Sequence, residues 1–360
     1  MTLLRDEEPE ATRSRRRRSG LAFLVVLTLL VLLAGGAWAA LKAIGNPFAS
    51  PPDYHGSGTG SVVVQVHVGQ TASDIARTLA KADVVKSAGA FVDAAKSDDR
   101  SRGITPGYYR LRHHMSGAAA LALMLDPSSR VQSAVTIPEG FRVAQVLARI
   151  AEKTPLKLAD LQAVARQPRG LPLPPWADGR LEGFLFPATY DFDPGTTAQA
   201  ALADMVQQFD VTADKIGLVA GARSLGYSAY DVVTVASLVE REAKIPADYG
   251  KVARVIYNRL RAHMPLQLDS TVNYALGQNK TTVTIKDTKV ASPYNTYLHT
   301  GLPPTPIASP GERALEAALH PTPGSWLYFV TMDDAGHNAF ATNYQDFLHL
   351  KAQAERQRSP

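Results

Sequence analysis

Two glutamates, Glu240 and Glu242, close the run Val235-Ala-Ser-Leu-Val-Glu-Arg-Glu-Ala243, which is otherwise almost wholly apolar. A carboxyl group held among Val and Ala loses the solvation of its charged form, so its pKa rises. A raised carboxyl is what a general acid needs near neutrality. Helical phase decides which glutamate is so placed. The stretch "YDVVTVASLVEREAK" has helical spacing, with Asp231 as its expected cap. At about 100° per residue, with Ala236 at zero, Val232, Val233, Val239 and Ala243 fall within about 60° and Glu240 near +40°. Leu238, Arg241 and Glu242 fall outside that arc. The spacing therefore predicts Glu240 as the half-buried acid and Glu242 as an ordinary solvated residue. A competing reading has Glu240 end the buried stretch and reach solvent, or pair with Arg254 or Arg259. Spacing alone leaves both open.

The residues that follow widen the chemistry. "RVIYNRL" puts Tyr257, Asn258 and Arg259 on a following helix, and "MPLQLDSTVNYALG" brings Gln267, Asp269, Thr271 and Asn273 in quick succession. The loop from Ser292 to Gly311 carries Tyr294, Asn295, Thr296 and Tyr297. Taken singly, such residues are commonly turn-formers. Gathered around one half-buried glutamate, they suit sugar hydroxyls and N-acetyl groups, with aromatic faces for ring C–H surfaces.

The rest of the chain must position these groups. With 360 residues, it is long enough for two domains with separate cores. The net charge of +5 is spread: residues 1–20 hold six Arg against four Asp or Glu, so only +3 remains elsewhere. That is too little clustering for a nucleic-acid binder. There is no cysteine, which excludes disulfides, thiol catalysis and thiolate metal sites. "SRRRRSG" precedes Leu21–Leu41, a stretch without a charge. A membrane crossing needs about twenty apolar residues, and the arginine block before it predicts a cytoplasmic N-terminus. The expectation is a basic cytoplasmic tail over 1–20, a retained transmembrane helix over 21–43 and an exported remainder. The alternative is a signal peptide cleaved after Ala37-Trp-Ala39.

Residues 44–60 read as a Gly-, Pro- and Ser-rich linker. A small unit over 61–130 follows as strand (Ser61–Val68), helix capped by Thr71 or Ser73, second helix, returning strand (Gly107–Arg112) and short helix. A larger unit over 131–352 opens in a similar way, with a turn at Pro138-Glu-Gly140, and a short tail follows from 353 to 360. Its mixed elements without βαβ alternation argue for an α+β class.

"LEGFLFPATY" (Leu181–Tyr190), "VASLVERE", "VIYNRL", "MPLQLDSTV", "YNTY" with "GLPPTPIASPG", the pair His320-Pro321 and "LYFV" occur together in that order. In this the chain resembles the MltG-type (YceG-like) endolytic murein transglycosylases over roughly residues 61–350. The departures are Ala188, where the family often has a more polar residue, and the unusual "TMDDAGHNAF", which weakens any claim for His337. The resemblance implies a LysM-like subdomain over 61–130 and a YceG-like α+β catalytic domain after it. It implies Glu240 as the single catalytic residue, protonating the bond between N-acetylmuramic acid and N-acetylglucosamine and then deprotonating the C6 hydroxyl. The product would carry a 1,6-anhydro end, with no water consumed and no metal or cofactor needed. Tyr257, Asn258, Gln267, Asp269, Tyr294, Asn295, Thr296 and Tyr297 are the expected substrate contacts. The implied partners are peptidoglycan glycan strands, the cytoplasmic membrane and, as candidates, the peptidoglycan synthases; nucleic acid is not among them. Two rivals stand beside this reading. One is a hydrolytic muramidase with Asp269 as second carboxylate. The other is a non-catalytic peptidoglycan-binding scaffold.

Overall fold

The computed structural model describes residues 15–44, 50–278, 280 and 283–358. The chain divides into two compact units at Arg130 and Val131. The expected basic tail as far as residue 14 and linker residues 45–49 lie outside the described residues.

The first unit opens with helix α1 (Arg15–Ile44). Its side chains are described for residues 23–39 and are exposed, among them Phe23, Leu30 and Trp38. Among the described residues no helix is long and apolar enough to cross a membrane. Then come β1 (Ser57–Val66), α2 (Ala72–Lys81), α3 (Ala88–Ser97), β2 (Gly107–Met115) and α4 (Gly117–Leu125). The strand β1 begins at Ser57 rather than Ser61, so the end of the expected linker is strand. Pairing explains the difference: Ser57 lies opposite Met115 in an antiparallel ladder with β2, with a register shift between Thr59 and Val62. Thr71 is the cap of α2, in a box with Asp74, whose carboxylate accepts the Thr71 N–H at 2.8 Å. Ser87 caps α3 in the simpler way. Alternate residues of the strands and one stripe of each helix meet in a core of Val64, Leu79, Phe91, Tyr109, Leu111 and Leu121.

The second unit starts with β3 (Ser133–Thr136), α5 (Val143–Lys153), α6 (Leu158–Arg166) and β4 (Thr189–Phe192). β3 and β4 are antiparallel, with Val135 opposite Tyr190. Each unit thus contains a strand, two helices and an antiparallel return strand. Helices then dominate: α7 (Ala198–Lys215), α8 (Leu218–Leu225), α9 (Ala229–Glu242), α10 (Pro246–Arg261), α11 (Asp269–Ala275) and α12 (Glu312–Leu319). A hairpin of β5 (Tyr328–Thr331) and β6 (Asn338–Ala341) and helix α13 (Tyr344–Arg358) complete it. The expected C-terminal tail from 353 is therefore helical as far as Arg358, and it buries Ala354. Small antiparallel sheets among many helices make a mixed α+β fold.

Helix α9 is the axis of the larger core, packed against α8, α10, α11 and α12. Ser228, not Asp231, is its cap; Asp231 sits three positions on and closes a capping box. Every residue from Val232 to Val239 is buried, Leu238 included. This run is buried all round, Thr234 and Ser237 included, so it offers no solvated face to separate the glutamates that follow it. Ser237 is fully buried and uses its hydroxyl twice, donating to the Thr234 carbonyl at 2.7 Å and accepting the Ile307 N–H at 3.0 Å. That second bond holds the proline-rich loop against α9. Ser237→Ala leaves the Ile307 N–H buried without a partner, which costs about 1–3 kcal/mol. A lowered denaturant midpoint with unchanged slope is expected; an unaltered midpoint would mean that the loop is held by other contacts.

Candidate active site

Because the core ends with Val239, the last turn of α9 delivers both carboxylates at its edge. Carboxylates are disfavoured at a helix C-terminus, where the dipole is negative. Burial adds to this, and both glutamates are pushed above the ordinary carboxyl range. They then part company.

Glu240 is held by structural hydrogen bonds. One carboxylate oxygen accepts the Gly311 N–H at 3.0 Å and the other the Tyr249 hydroxyl at 3.3 Å. These bonds and Arg313 only partly offset burial, and the nearby Glu139 adds to the upward shift. Neither Arg254 nor Arg259 pairs with Glu240: Arg254 donates to the Pro321 and Thr322 carbonyls, Arg259 to those of Leu266 and Leu327. The residue ties α9 to the start of α12.

Glu242 faces a different space. It is partly enclosed rather than solvated, which corrects the expectation drawn from helical phase. That expectation assumed one wet face, and α11 covers it. One oxygen accepts the Ser270 N–H at 3.3 Å. Burial raises its carboxyl, Ser270 partly offsets this, and the charge of Asp269 raises it again. It lines a groove of about 480 Å³ shared with Arg259, Gln267, Asp269, Tyr297 and Tyr328.

The groove is rigidly built. Gln267 holds a left-handed backbone, φ +49°, and donates its N–H to the Thr296 carbonyl at 3.0 Å. Such a conformation is unusual for a residue other than glycine and clusters at functional sites. Thr296 is buried; its hydroxyl accepts the Leu268 N–H at 3.0 Å and lies 2.9 Å from that of Thr271. Asn295, fully buried, donates to the carbonyls of Thr288 and Val290 and accepts the Tyr297 N–H. These bonds lay Tyr297 against α11, where its hydroxyl donates to Asp269 at 2.7 Å. On the opposite wall, the Arg259 guanidinium lies 5.1 Å from the Tyr328 ring centre.

Of the expected contacts, Gln267, Asp269 and Tyr297 line the groove, while Asn295 and Thr296 brace it from behind. The other three lie elsewhere. Tyr257 is buried and donates to the Ala318 carbonyl at 3.0 Å, Asn258 clamps the carbonyls of Gly324 and Trp326, and Tyr294 meets the Thr305 hydroxyl at 3.0 Å. His337 pairs with Asp333. Sequence reading did not place Glu242, Arg259 or the aromatic residues of β5 and α13 on this groove. The second acid of "VERE" was a signal, set aside on helical phase.

Two other places deserve comparison. A larger cavity of about 590 Å³ along Arg166–Pro175 has no carboxylate in its lining. Glu182, from "LEGFLFPATY", is pushed up to about 7 by burial, but its oxygens accept the Val143 N–H and the Tyr274 hydroxyl, each at 3.0 Å. It closes the start of α5 and clasps α11. Among the described residues no group of three or more His, Asp or Glu is placed to hold a metal ion.

The match to known proteins covers both units. A profile of the YceG-like family matches residues 64–353. A protein of Bacillus subtilis (strain 168) named endolytic murein transglycosylase is 34% identical over 314 residues, spanning 83% of this chain and 85% of that protein. One of the same name from Streptococcus pneumoniae (strain D39) is 30% identical over 315 residues, 79% of this chain but only 57% of that longer protein. A crystal structure of a yceG-like protein from Listeria monocytogenes superposes with a TM-score of 0.56 at 30% identity, over 81% of this chain and all of that one. The chain belongs to the YceG-like family.

Proposed function

We propose that this chain is an endolytic lytic transglycosylase of peptidoglycan and that Glu242 is its acid–base group. One observation carries the assignment: Glu242 is a carboxyl raised by burial that also opens onto a sugar-sized groove. Glu240, nominated by helical phase and by the resemblance, has both oxygens engaged by protein donors. The relatives' printed activity and the polar, aromatic lining support a glycan substrate.

The chemistry needs one carboxyl used twice. Protonated Glu242 donates to the glycosidic oxygen between N-acetylmuramic acid and N-acetylglucosamine, and that C–O bond breaks. The resulting carboxylate takes the proton of the muramyl C6 hydroxyl, whose oxygen closes onto C1. The product carries a 1,6-anhydro end, Glu242 regains its proton, and no water is consumed. Burial keeps Glu242 protonated, the charge of Asp269 adds to it, and Tyr297 fixes Asp269. A second reading has one supporting observation: Asp269 shares the groove with Glu242 and could activate water, giving a hydrolase with reducing ends.

The remaining parts are assigned as follows. The segment 21–43 anchors the chain at the membrane, with the N-terminus in the cytoplasm and residues 45–360 outside, on the strength of the uncharged run Leu21–Leu41 and the arginines before it. The unit over 61–130 is a LysM-like module that precedes the catalytic domain in the chain. Cleavage at the membrane would end the growth of nascent strands, which makes the synthases natural partners.

Glu242→Gln keeps the side chain's size but has no proton to donate, so activity should fall about 10²–10⁴-fold. Glu240→Gln still accepts the Gly311 N–H and should stay within a few-fold of wild type. Mass spectrometry of the wild-type digest should show ends lighter by one water than reducing ends. Reducing ends would favour the hydrolase, and loss of activity confined to Glu240→Gln would move the acid to Glu240.

The acid must be protonated, so activity should decline as pH rises through the raised pKa of Glu242. Asp269→Asn removes the neighbouring charge and lowers that pKa, shifting the decline to lower pH. An unshifted alkaline limb would contradict the coupling.

Protease added to intact spheroplasts should remove the large domain and spare an N-terminal tag. A mature chain starting near Ala40 would overturn the anchor.

A further inference from the structure

The groove that contains Glu242 does not end at α11. Its far lining includes Tyr344, Phe347 and Lys351 of α13. These residues stand at i, i+3 and i+7, so they share one helix face, with Lys351 about two turns beyond Tyr344. The rings form a platform. Phe347 stacks on Tyr328 at 5.2 Å between ring centres and 26° between planes, and Arg259 supports Tyr328 from another side. Tyr344 adjoins both rings, at 5.9 Å from Tyr328 and 6.0 Å from Phe347, yet remains 55% exposed. Lys351 is exposed as well. The core does not need these surfaces. A flat aromatic face beside a cation suits a pyranose ring that bears an acidic branch.

We propose that this face of α13 is a strand-holding subsite, where Tyr344 and Phe347 underlie a sugar ring and Lys351 pairs with a carboxylate carried by the muramyl unit. On a peptide-bearing unit that carboxylate belongs to the peptide, because the lactyl carboxyl is tied up as an amide; on a unit stripped of peptide it is the freed lactyl group. The inference rests on peptidoglycan as substrate and concerns binding rather than the bond-breaking step. C-terminal helix residues thus set which strands are held, while Glu242 sets what happens to them.

Binding is measured with the full chain in detergent, carrying Glu242→Gln so that strands stay intact. Three ligands are compared: peptide-bearing strands, strands stripped of peptide that retain the lactyl carboxylate, and chitin oligosaccharides that have no carboxylate. Tyr344→Ala should weaken all three about tenfold, in the range of one aromatic contact, and Tyr344→Phe should restore binding. Lys351→Ala should weaken binding of carboxylate-bearing ligands only, several-fold, and the loss should fade as salt is raised. A loss confined to stripped strands assigns the pairing to the freed lactyl carboxylate, one confined to peptide-bearing strands assigns it to the peptide, and a loss on both means that Lys351 accepts either. Unchanged binding of all three ligands to Tyr344→Ala, or an equal loss for chitin oligosaccharides with Lys351→Ala, would overturn the proposal. Cleavage by the Glu242→Gln chain at close to the wild-type rate would appear as product and would count against the acid assignment alone.

Discussion

A helix buried on every side governs the larger unit. From Val232 to Val239 no residue of α9 reaches solvent, so the helix can carry polar chemistry only where the core stops. It stops within the last turn, and that turn contains two carboxylates. Both are short of solvent and both lie at the negative end of the helix dipole, so both resist ionisation. The architecture therefore makes a proton reservoir at the helix end before any substrate is considered. Its surroundings decide which of the two acids is free to use it.

Those surroundings are two loops with different tasks. The proline-rich loop is fixed by Ser237 to Ile307, and its Ser309 carbonyl accepts the Gly140 N–H at 2.9 Å. The same region supplies the Gly311 N–H that occupies Glu240. The "YNTY" loop is fixed by buried Asn295, which holds the Thr288 and Val290 carbonyls, and by buried Thr296, whose bonds end at the start of α11. Its Tyr297 holds Asp269 of α11, which lines the same groove as Glu242, without occupying Glu242 itself. Most of the polar residues in this part of the chain are thus spent on holding backbone in place. Such preorganisation fits a site whose groups must be aligned before the bond breaks.

Much of this was legible in the sequence, and what was not has a physical reason. The capping pattern at Thr71, the strand–helix–helix–strand order of the small unit and the mixed α+β class follow from local chemistry and appear in the fold. The resemblance located the segments that build the groove. Helical phase failed at Glu242 because the wheel assumes one dry and one wet face, and α9 is dry on all sides. Tyr257, Asn258 and Tyr294 looked like sugar ligands because their types suit sugars. Their partners are the distant carbonyls of Ala318, Gly324 and Trp326 and the hydroxyl of Thr305, which no short motif announces. The place of α13 on the groove was hidden for the same reason, since nothing in the sequence near Tyr344 announces that it shares a groove with Glu242.

The central claim is that the end of a fully buried helix keeps the Glu242 carboxyl protonated well above the ordinary range. A carbon-13 titration of the glutamate side-chain carboxyls tests it without substrate, with Glu242→Gln identifying the resonance by its loss. The account predicts that this resonance titrates clearly above the ordinary glutamate value of 4.5. It also predicts that Asp269→Asn moves the midpoint downward. A Glu242 midpoint at 4.5 or lower would contradict the account and leave the groove without its acid.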